Sequence, residues 1–361
     1  MRAVILSGGE ATRLRPLTCN TSKVMVPVLN RPFLQHLVSY LKSHNIVDIT
    51  LAIGRTSGQV ESYFGDGSRF GASIRYSTES VPLGTAGAVK NTERLLNSTF
   101  MVFNGDVYTD IDLTAMINAH ERSGAIATLA LTPVDDPTAY GVVETAGEGR
   151  ITRFVEKPSR EEAPSNLVNA GVYVLHPDIL NYITPNTSVM FERDVFPSVL
   201  AAGATMYAYP SHAYWIDIGT PERYLSLNHE LLRRDFGPRG LQFEGEHDIH
   251  PSAQIEGPVL IGKGCCVESD CIIEGPTVLG QGCKIREGAV IRSSLLWQGC
   301  EIDRGARLRN SILASRCYVG EGSLLNSSVL GDNVMIGGGT PLPQNSKIWS
   351  DGSIPPSPLP H

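Results

Sequence analysis

From residue 249 onward, the sequence places an aliphatic residue at every sixth position. The uninterrupted run consists of Ile249, Ile255, Ile261, Val267, Ile273, Leu279, Ile285 and Ile291. A six-residue period is typical of a parallel β-helix, a solenoid in which each short strand adds one wall to a coil. The alternative is an all-β sandwich with accidental spacing, which a run of this length makes a poor explanation. We therefore predict a β-helix in the C-terminal part of the chain.

The period slips after residue 291, in steps that each drop one residue. The aliphatic positions then form three further registers: first Leu296, Ile302 and Leu308, then Leu313, Val319 and Leu325, then Leu330 and Ile336. Because the six-residue spacing resumes after every slip, we predict irregular corners within the solenoid and not its end.

The first part of the chain alternates strand-like and helix-like patterns. The predicted strands are Ala3–Leu6, Asp48–Ile53, Phe100–Phe103, Ala127–Thr132, Val142–Thr145, Ile151–Val155 and Gly171–Leu175. The predicted helices between them include Pro32–Ser43, Ala86–Leu96 and Asp112–Arg122. This alternation predicts an α/β domain with a Rossmann-like mixed, mostly parallel sheet. Ligands of such sheets bind beyond the carboxyl ends of the strands.

These patterns divide the chain into four parts. We place the α/β domain at residues 1–235, a linker at 236–248, the β-helix at 249–340 and an irregular, proline-rich tail at 341–361. The net charge of −7 and the absence of a basic run argue against a nucleic-acid partner. The apolar stretches are too short to span a bilayer, and the N-terminus lacks a signal-peptide pattern. We therefore expect a cytoplasmic protein without a membrane partner.

The cysteines are concentrated in the predicted solenoid. Six of the seven lie after residue 260, and no CxxC pair occurs. We interpret them as reduced thiols that pack as small hydrophobic side chains. A metal cluster is the alternative, and the sequence disfavours it because the spacing of metal ligands is absent.

The N-terminal segment carries a glycine turn and two cations. The predicted strand that ends at Leu6 runs into Gly8 and Gly9, and Arg13 and Lys23 follow. Glycines let backbone N–H groups approach a phosphate closely, and the cations can neutralise it. The segment matches neither a Walker A loop nor a GxGxxG fingerprint. It predicts a polyphosphate site at the end of a strand.

With the segment Thr12–Thr18 (TRLRPLT) and Lys23, this glycine turn resembles the signature of the sugar-1-phosphate nucleotidyltransferases, or NDP-sugar pyrophosphorylases. Two positions depart from that signature. Ala11 stands where the family usually has glycine, and it is tolerable only if the position does not need a positive φ. Ser22 stands where the family usually has proline, and we expect it to loosen the loop while leaving Lys23 in place.

Further segments resemble family motifs and follow in the family's order. They are Leu83–Gly87, Asn104–Asp106, Tyr140–Val143, Phe154–Pro158, Asn169–Gly171 and Trp215–Pro221. Long members of the family also carry a hexapeptide-repeat half, a left-handed β-helix. The resemblance is nearest in appearance to mannose-1-phosphate guanylyltransferases, because of Leu83–Gly87 and of the segment Phe191–Pro197.

The resemblance implies a role for each matching residue. Asp106 and Asp217 would hold Mg²⁺, which prefers oxygen ligands and takes one or two carboxylates besides substrate phosphates. Arg13 would grip the β- and γ-phosphates, and Lys23 would stabilise the α-phosphate and the leaving group. The remaining nucleotide-binding residues would be Leu6, Gly8, Gly9, Glu79, Gly84 and Thr85. The residues that bind the sugar phosphate would be Gly141, Glu156, Lys157 and Asn169.

Each of these residues also has an ordinary interpretation. Asp106 alone could cap the next helix, Asp217 could sit in a turn, and Glu79 could be a solvent-facing loop residue. The ordered set of motifs favours the functional interpretation of the two aspartates, whereas both interpretations of Glu79 stay open.

The nucleotide base is predicted from Glu79. A carboxylate can accept hydrogen bonds from the N1–H and N2–H₂ edge of guanine, whereas thymine and uracil flank their N3–H with two carbonyls. We therefore favour GTP and mannose 1-phosphate as substrates. Thymidylyl or uridylyl transfer to glucose 1-phosphate is the near alternative.

Two other classes of function stay open. Hexapeptide acyltransferases resemble the solenoid, but they use a histidine base within the coils, and here His247 and His250 lie at the entry and His361 at the end of the chain. A non-catalytic regulatory relative is the other class, and it would be expected to lose Lys23 or an aspartate. Because a parallel β-helix ends in an open edge, we also expect a homo-oligomer that assembles through the solenoid.

Overall fold

The computed structural model describes residues 1–54 and 58–357. They form two compact units, of which the first combines Met1–Gly9 with Leu34–Asp217. The second unit combines Glu10–Phe33 with the chain from Ile218 onward. This division differs from the predicted boundary at residue 235, because the segment 10–33 and the last helix before that boundary belong with the solenoid.

The first unit is built on a nine-stranded sheet. The strands of the N-terminal part of the chain are β1 (Arg2–Leu6), β2 (Pro27–Val28), β3 (Arg31–Pro32), β4 (Asp48–Ile53), β5 (Ser73–Thr78), β6 (Phe100–Asn104), β7 (Val107–Thr109), β8 (Ala127–Pro133), β9 (Gly141–Ala146), β10 (Arg150–Glu156), β11 (Leu167–Leu175), β12 (Met206–Pro210) and β13 (Trp215–Asp217). The order in the sheet is β5-β4-β1-β6-β11-β8-β12-β10-β9.

This sheet is mixed, as predicted, but it is not mostly parallel, because four of its described strand pairings are parallel and five are antiparallel. Strands β5, β4, β1 and β6 run parallel, whereas β11 pairs antiparallel with both β6 and β8. All of the predicted strands are present, and β5 and β12 are strands that the sequence analysis did not include. The α/β fold class is therefore confirmed.

The α-helices are α1 (Phe33–Ser43), α2 (Gly58–Phe64), α3 (Gly84–Lys90), α4 (Leu113–Ser123), α5 (Phe196–Ala201) and α6 (Pro221–Phe236). The predicted helix Ala86–Leu96 is wrong at its end, because α3 stops at Lys90 and only a 3-10 turn, Glu93–Leu95, follows. A π-helical turn, Phe191–Val195, leads into α5. No helix of the described ranges is long and apolar enough to span a membrane.

The segment 10–33 is anchored to other parts of the second unit. The Asn20 side chain donates to Asp332 Oδ2 in the solenoid at 3.3 Å. The Asn30 side chain donates to Glu244 Oε2 at 2.9 Å and to the Leu279 carbonyl oxygen at 3.1 Å. These side-chain hydrogen bonds therefore attach the segment 10–33 to the solenoid.

Ala11 and Ser22, the two departures from the family signature, both lie in this segment. Ala11 lies in the left-handed region at φ 45°, so the position does need a positive φ, contrary to the condition set for an alanine there. The Ala11 carbonyl accepts hydrogen bonds from Leu14 N at 3.1 Å and from Thr18 Oγ1 at 2.9 Å, which hold this conformation. Ser22 has φ −60°, the angle that a proline would fix, so serine keeps the backbone path of the family's proline.

The solenoid begins earlier and ends later than predicted. Its strands are β14 (Leu241–Phe243), β15 (Asp248–Ile249), β16 (Gln254–Glu256), β17 (Val259–Ile261), β18 (Cys266–Val267), β19 (Ile272–Glu274), β20 (Thr277–Leu279), β21 (Lys284–Ile285), β22 (Val290–Arg292), β23 (Leu295–Leu296), β24 (Glu301–Ile302), β25 (Arg307–Arg309), β26 (Ile312–Leu313), β27 (Tyr318–Val319), β28 (Leu324–Asn326), β29 (Val329–Leu330), β30 (Met335–Ile336), β31 (Lys347–Ile348) and β32 (Ser353–Ile354).

These strands stack into three parallel sheets, the walls of a left-handed β-helix. The predicted linker 236–248 contains β14, which pairs with β17, so part of it is the first coil. The predicted irregular tail 341–361 contains β31 and β32, which pair with β29 and β30. The end of that predicted tail, residues 358–361, lies outside the described residues.

The register slips fall at one corner of the solenoid. Gly275 and Pro276 turn this corner between β19 and β20. In each of the next three coils a single residue turns it in the left-handed conformation, at φ 46° for Ser293, 47° for Asn310 and 51° for Ser327. A left-handed residue turns the chain from one wall into the next in fewer residues, which explains why every slip drops one residue.

A column of buried hydroxyl groups follows the same corner. The Ser294 backbone N–H donates to Thr277 Oγ1 at 3.4 Å. In the next coils Ser311 N donates to Ser294 Oγ, and Ser328 N donates to Ser311 Oγ, both at 3.1 Å. These hydroxyls satisfy backbone donors in an interior that excludes water.

Five cysteines are buried in the solenoid. Cys265, Cys283, Cys300 and Cys317 occupy equivalent positions in successive coils, and each thiol points to a carbonyl oxygen at 3.1 Å. Cys271 is also buried, whereas Cys19 is exposed and Cys266 is partly exposed. The buried thiols pack in the apolar core of the coils, in agreement with the interpretation as small hydrophobic side chains.

We predict that Ser311→Ala destabilises the solenoid by about 1–3 kcal/mol, because the buried Ser328 N–H loses its acceptor. The urea midpoint of unfolding, followed by tryptophan fluorescence, measures the loss. The control is Ser327→Ala, since Ser327 is partly exposed and its hydroxyl makes only a 3.5 Å contact with the neighbouring Asn326 side chain. Equal midpoints for the two variants would contradict the proposed role of the hydroxyl column.

We predict that Ala11→Gly raises the stability of the protein. Glycine relieves the strain of the left-handed backbone, which stabilises the fold by about 1–2 kcal/mol. It also raises the conformational entropy of the unfolded chain, which costs about 0.4–1 kcal/mol, so the net gain is about 1 kcal/mol. Thermal and urea unfolding measure it. Ala11→Ser keeps the Cβ atom and serves as the matched control, for which we expect no gain. A loss of stability in Ala11→Gly would show that the left-handed backbone is unstrained.

Candidate functional site

The candidate site of the first unit begins where β1 ends. Strand β1 lies between β4 and β6, and its last residue is Leu6. The Gly105 N–H, just after β6, donates to the Leu6 carbonyl at 2.9 Å, which fixes the end of the strand. Gly8 and Gly9 are exposed beyond it, and Gly9 has φ 125° with open space around its Cα. The backbone there is exposed, and the binding of a phosphate to it stays a prediction.

Glu79 lies beside this glycine turn. It follows β5 and is 9% exposed, so its interpretation as a solvent-facing loop residue is wrong. Its Oε2 accepts a hydrogen bond from Leu83 N at 3.0 Å, and a Cβ atom on Gly8 would lie 3.6 Å from its Oε1. Burial raises the pKa of Glu79, and the bond from Leu83 opposes that rise. The structure therefore brings a desolvated carboxyl group to the predicted nucleotide loop.

The loop that contains Gly84 and Thr85 is held by the segment before α5. Gly84 has φ 71°, and a Cβ atom on it would lie 2.6 Å from the Val189 carbonyl oxygen, so both conformation and space require glycine. The Val189 carbonyl accepts from Ala86 N at 3.0 Å. The Thr85 hydroxyl accepts from Phe191 N at 2.9 Å.

Asp106 lies in the turn just before β7, and Asp217 is the last residue of β13. Strands β7 and β13 form an antiparallel ribbon in which Asp217 pairs with Val107, the residue after Asp106. Both aspartates are partly buried. Asp106 does not cap the next helix, because the N-cap of α4 is Asp112. The ribbon explains how two distant segments contribute carboxylates to one place.

The donor set suits Mg²⁺ and not a soft metal. Among the described residues, no group of three or more His, Cys, Asp or Glu side chains is arranged to hold a metal ion. Two carboxylates without histidine or thiolate fit Mg²⁺, which completes its shell with water and substrate phosphates. The buried Asn104 Oδ1, at the end of β6, also has no hydrogen-bond partner within the described residues.

Three of the predicted sugar-phosphate residues lie on β9, β10 and β11, and Lys157 directly follows β10. A Cβ atom on Gly141 would lie 3.0 Å from Glu156 Oε2 and 2.5 Å from the Phe154 ring, so only glycine leaves room for these side chains. Lys157 Nζ lies 3.6 Å from Glu156 Oε1. The Lys157 side chain is more than half exposed, which leaves its ammonium group accessible to an anion.

Asn169 is tied to its neighbours on β11. Its Oδ1 accepts from Gly171 N at 3.0 Å, and its Nδ2 donates to the Tyr173 hydroxyl at 2.7 Å. A Cβ atom on Gly171 would lie 2.7 Å from Asn104 Nδ2. This close contact places the segment around Asn169 against the end of β6, two residues before Asp106.

Arg13 and Lys23 lie in the second unit. Each belongs to a 3-10 turn of the anchored segment 10–33, Thr12–Leu14 for Arg13 and Lys23–Met25 for Lys23. The Arg13 side chain is exposed and Lys23 is partly buried. Their predicted roles stay predictions.

The sequence analysis gave no role to Glu192, although it used the segment Phe191–Pro197 as a family resemblance. Glu192 is 9% exposed and accepts hydrogen bonds from Thr85 Oγ1 at 3.0 Å and from the Tyr173 hydroxyl at 3.2 Å. Glu192 is the first of three consecutive charged residues, followed by Arg193 and Asp194, so no local signal in the sequence indicated a buried carboxyl group.

Comparisons with known proteins bear on both parts of the chain. A family model described as Nucleotidyl transferase matches residues 2–234, and one described as EIF2B subunit epsilon LbH domain matches residues 243–342. The chain is 40% identical over 264 residues to the mannose-1-phosphate guanylyltransferase of Mycobacterium tuberculosis, which covers 72% of this chain and 73% of that protein. It is 33% identical over 323 residues to the UTP–glucose-1-phosphate uridylyltransferase of Synechocystis, which covers 82% of each.

A solved structure supports the fold of the first part. The crystal structure of HddC from Yersinia pseudotuberculosis complexed with GMP-PN superposes with a TM-score of 0.56 at 28% identity, covering 64% of this chain and 99% of that one. The family model that spans residues 2–234 covers more than half of the chain. The chain therefore belongs to the nucleotidyl transferase family, as a sugar-1-phosphate nucleotidyltransferase with a C-terminal left-handed β-helix.

Proposed function

We propose that this protein transfers a guanylyl group from GTP to mannose 1-phosphate, giving GDP-mannose and pyrophosphate. The observation that carries the choice of base is the buried Glu79 carboxyl group beside Gly8. In its ionised form it can accept from the N1–H and N2–H₂ donors of guanine. The Mycobacterium tuberculosis relative is named for this substrate pair, and HddC was crystallised with GMP-PN, which supports the proposal.

The reaction needs charge neutralisation more than proton transfer. A phosphate oxygen of the sugar phosphate attacks the α-phosphorus, and a bond between them forms. The bond from the α-phosphorus to the bridging oxygen breaks, and pyrophosphate leaves with that electron pair. The nucleophile is already an anion, so no general base is required. The protein must bring two anions together and stabilise the charge of the transition state.

Asp106 and Asp217 would hold Mg²⁺ in this proposal. When bound, the ion neutralises phosphate charge and polarises the α-phosphate. The ribbon of β7 and β13 fixes the two carboxylates relative to each other.

In this proposal, each of the three cationic side chains binds a different phosphate. Arg13 can bind the β- and γ-phosphates through paired N–H donors, and Lys23 can bind the reacting phosphate as a point charge. Lys157 binds the phosphate of the sugar, while Glu156 accepts hydrogen bonds from its hydroxyls and the Asn169 amide group donates to them. The spacing of 3.6 Å between Lys157 Nζ and Glu156 lets one side chain orient the other before the substrate binds.

Uridylyl or thymidylyl transfer to glucose 1-phosphate is the second candidate. The Synechocystis relative favours it, because its similarity extends over 82% of both chains, more than that of the guanylyltransferase. A panel of four NTPs against mannose, glucose and N-acetylglucosamine 1-phosphates, assayed by pyrophosphate release with Mg²⁺, tests both candidates. Highest kcat/KM with GTP and mannose 1-phosphate supports the proposal, and preference for UTP or dTTP would overturn it.

We predict that Asp106→Asn and Asp217→Asn each lower kcat by about 100-fold or more, because the carboxylate charge that binds Mg²⁺ is lost. Pyrophosphate release as a function of Mg²⁺ concentration measures the loss, and raising Mg²⁺ should restore part of it. Asp135→Asn, at an exposed position outside the ribbon, is the control. Full activity in both site variants would exclude the aspartates as ligands.

We predict that Glu79→Gln lowers kcat/KM for GTP by about 10-fold to 100-fold, since the amide replaces an acceptor with a donor that faces the guanine donors. The same assay with UTP should change by less than about threefold, because UTP does not use the carboxylate. Glu61→Gln is the matched control at an exposed position. An equal loss for both nucleotides would show that Glu79 serves the loop and not the base.

A further inference from the structure

Glu192 is a buried carboxyl group to which the proposed mechanism gives no role. It lies in the π-helical turn Phe191–Val195 and is 9% exposed. Burial raises the pKa of Glu192, and the negative charge of Glu156 adds to the rise. A buried carboxyl group is unfavourable unless its oxygens are hydrogen-bonded. The identity of its partners therefore indicates what it is for.

Both oxygens of Glu192 are engaged, and they face different substrate segments. The Thr85 hydroxyl donates to Oε2 at 3.0 Å, and the Tyr173 hydroxyl donates to Oε1 at 3.2 Å. Thr85 belongs to the predicted nucleotide loop. Tyr173 lies on β11, the strand that carries Asn169 of the predicted sugar-phosphate set.

The hydrogen bonds on either side fix the direction of this chain of contacts. Thr85 Oγ1 accepts from Phe191 N at 2.9 Å, so its own proton is available for Glu192. The Tyr173 hydroxyl accepts from Asn169 Nδ2 at 2.7 Å, so its proton is likewise directed to Glu192. Each hydroxyl accepts one bond and donates one, with the carboxylate as the common acceptor.

We propose that Glu192 is a positioning residue that couples the nucleotide loop to the sugar-phosphate segment through Thr85, Tyr173 and Asn169. This inference rests on the proposed function of the site. A ligand that fixes Thr85 also fixes the orientation of Glu192, and through Tyr173 it orders the Asn169 amide before the second substrate binds. Such coupling is reciprocal, so a change on either side alters affinity on the other.

The test removes one hydroxyl on each side. Tyr173→Phe keeps the ring packed against Phe191 and Phe196 and removes only the hydroxyl. We expect it to raise the KM for the NTP about fivefold or more, although Tyr173 is not in the nucleotide loop. Thr85→Val should raise the KM for the sugar phosphate by a similar factor. The KM for the substrate on the far side of Glu192 is the readout in each case, and the expected factors lie within the usual range of coupling between sites.

The double variant Thr85→Val/Tyr173→Phe decides whether the two residues act through Glu192. Either substitution alone interrupts the chain of hydrogen bonds. The KM values of the double variant should therefore be no higher than those of the more impaired single variant. Glu192→Gln keeps the shape of the side chain and leaves one hydroxyl without an acceptor, so it should raise both KM values. Additive effects, or effects confined to each residue's own substrate, would overturn the inference.

Matched controls remove hydroxyls outside the network. Thr92 lies just after α3, and Thr92→Val removes its hydrogen bond to the Val89 carbonyl. Tyr76→Phe removes the hydrogen bond from the Tyr76 hydroxyl to the Gly65 carbonyl. Neither should change a KM value by more than about twofold.

The assay uses the NTP and hexose 1-phosphate pair that the wild-type protein turns over fastest, so a different substrate pair leaves the test intact. A wild-type protein that released pyrophosphate with no pair would overturn the proposed function alone. The same double-mutant cycle, measured by urea midpoints of unfolding, would then test whether Thr85 and Tyr173 are coupled through Glu192. Additive effects of Thr85→Val and Tyr173→Phe on the midpoint would overturn the coupling.

Discussion

The parallel pairing of β1 with β4 and β6 is the constraint on which the candidate site depends. Residues 3–5 of β1 are fully buried, so the strand is fixed by packing on both faces as well as by its two neighbours. Parallel strands end at the same edge, and the glycine turn after Leu6 and the segment Asn104–Asp106 after β6 therefore meet there. Asp217 reaches this edge through the ribbon of β7 and β13.

The solenoid does more than extend the chain, because the segment that carries Arg13 and Lys23 is anchored to it. Asp332 is buried in a coil, accepts from Ser315 N at 3.0 Å and also accepts from Asn20 at 3.3 Å. Trp297 of the solenoid donates to the Tyr224 hydroxyl of α6 at 3.0 Å. The 3-10 turns of Arg13 and Lys23 thus take their positions from a framework whose register is set by stacked coils.

Periodic and sequential features were predictable from the sequence, and long-range side-chain contacts were not. The six-residue repeat and the strand that ends at Leu6 follow from side-chain patterns that a single strand or coil imposes. In the sequence, the corner at Asn310 was visible only as one residue missing from the six-residue spacing. Its left-handed backbone could not be predicted, because it depends on the stacking of the coils. The bond between Thr85 and Glu192 joins residues separated by 107 positions, for which periodicity carries no information.

The burial of the two acids beside the loop Leu83–Gly87 was not predictable in the same way, although the sequence analysis gave a role to Glu79 and none to Glu192. Glu79 and Glu192 each have a raised pKa because burial disfavours the charged form, which is unfavourable for folding taken alone. Each is held by donors from the loop of Leu83–Gly87, namely Leu83 N for Glu79 and the Thr85 hydroxyl for Glu192. Both positions have polar neighbours in the sequence, Thr78 and Ser80 for Glu79 and Arg193 for Glu192, so local patterns would place them at the surface. Buried carboxyl groups that are unfavourable for folding taken alone are most often found at functional sites, which agrees with the roles that we propose for both residues at this loop.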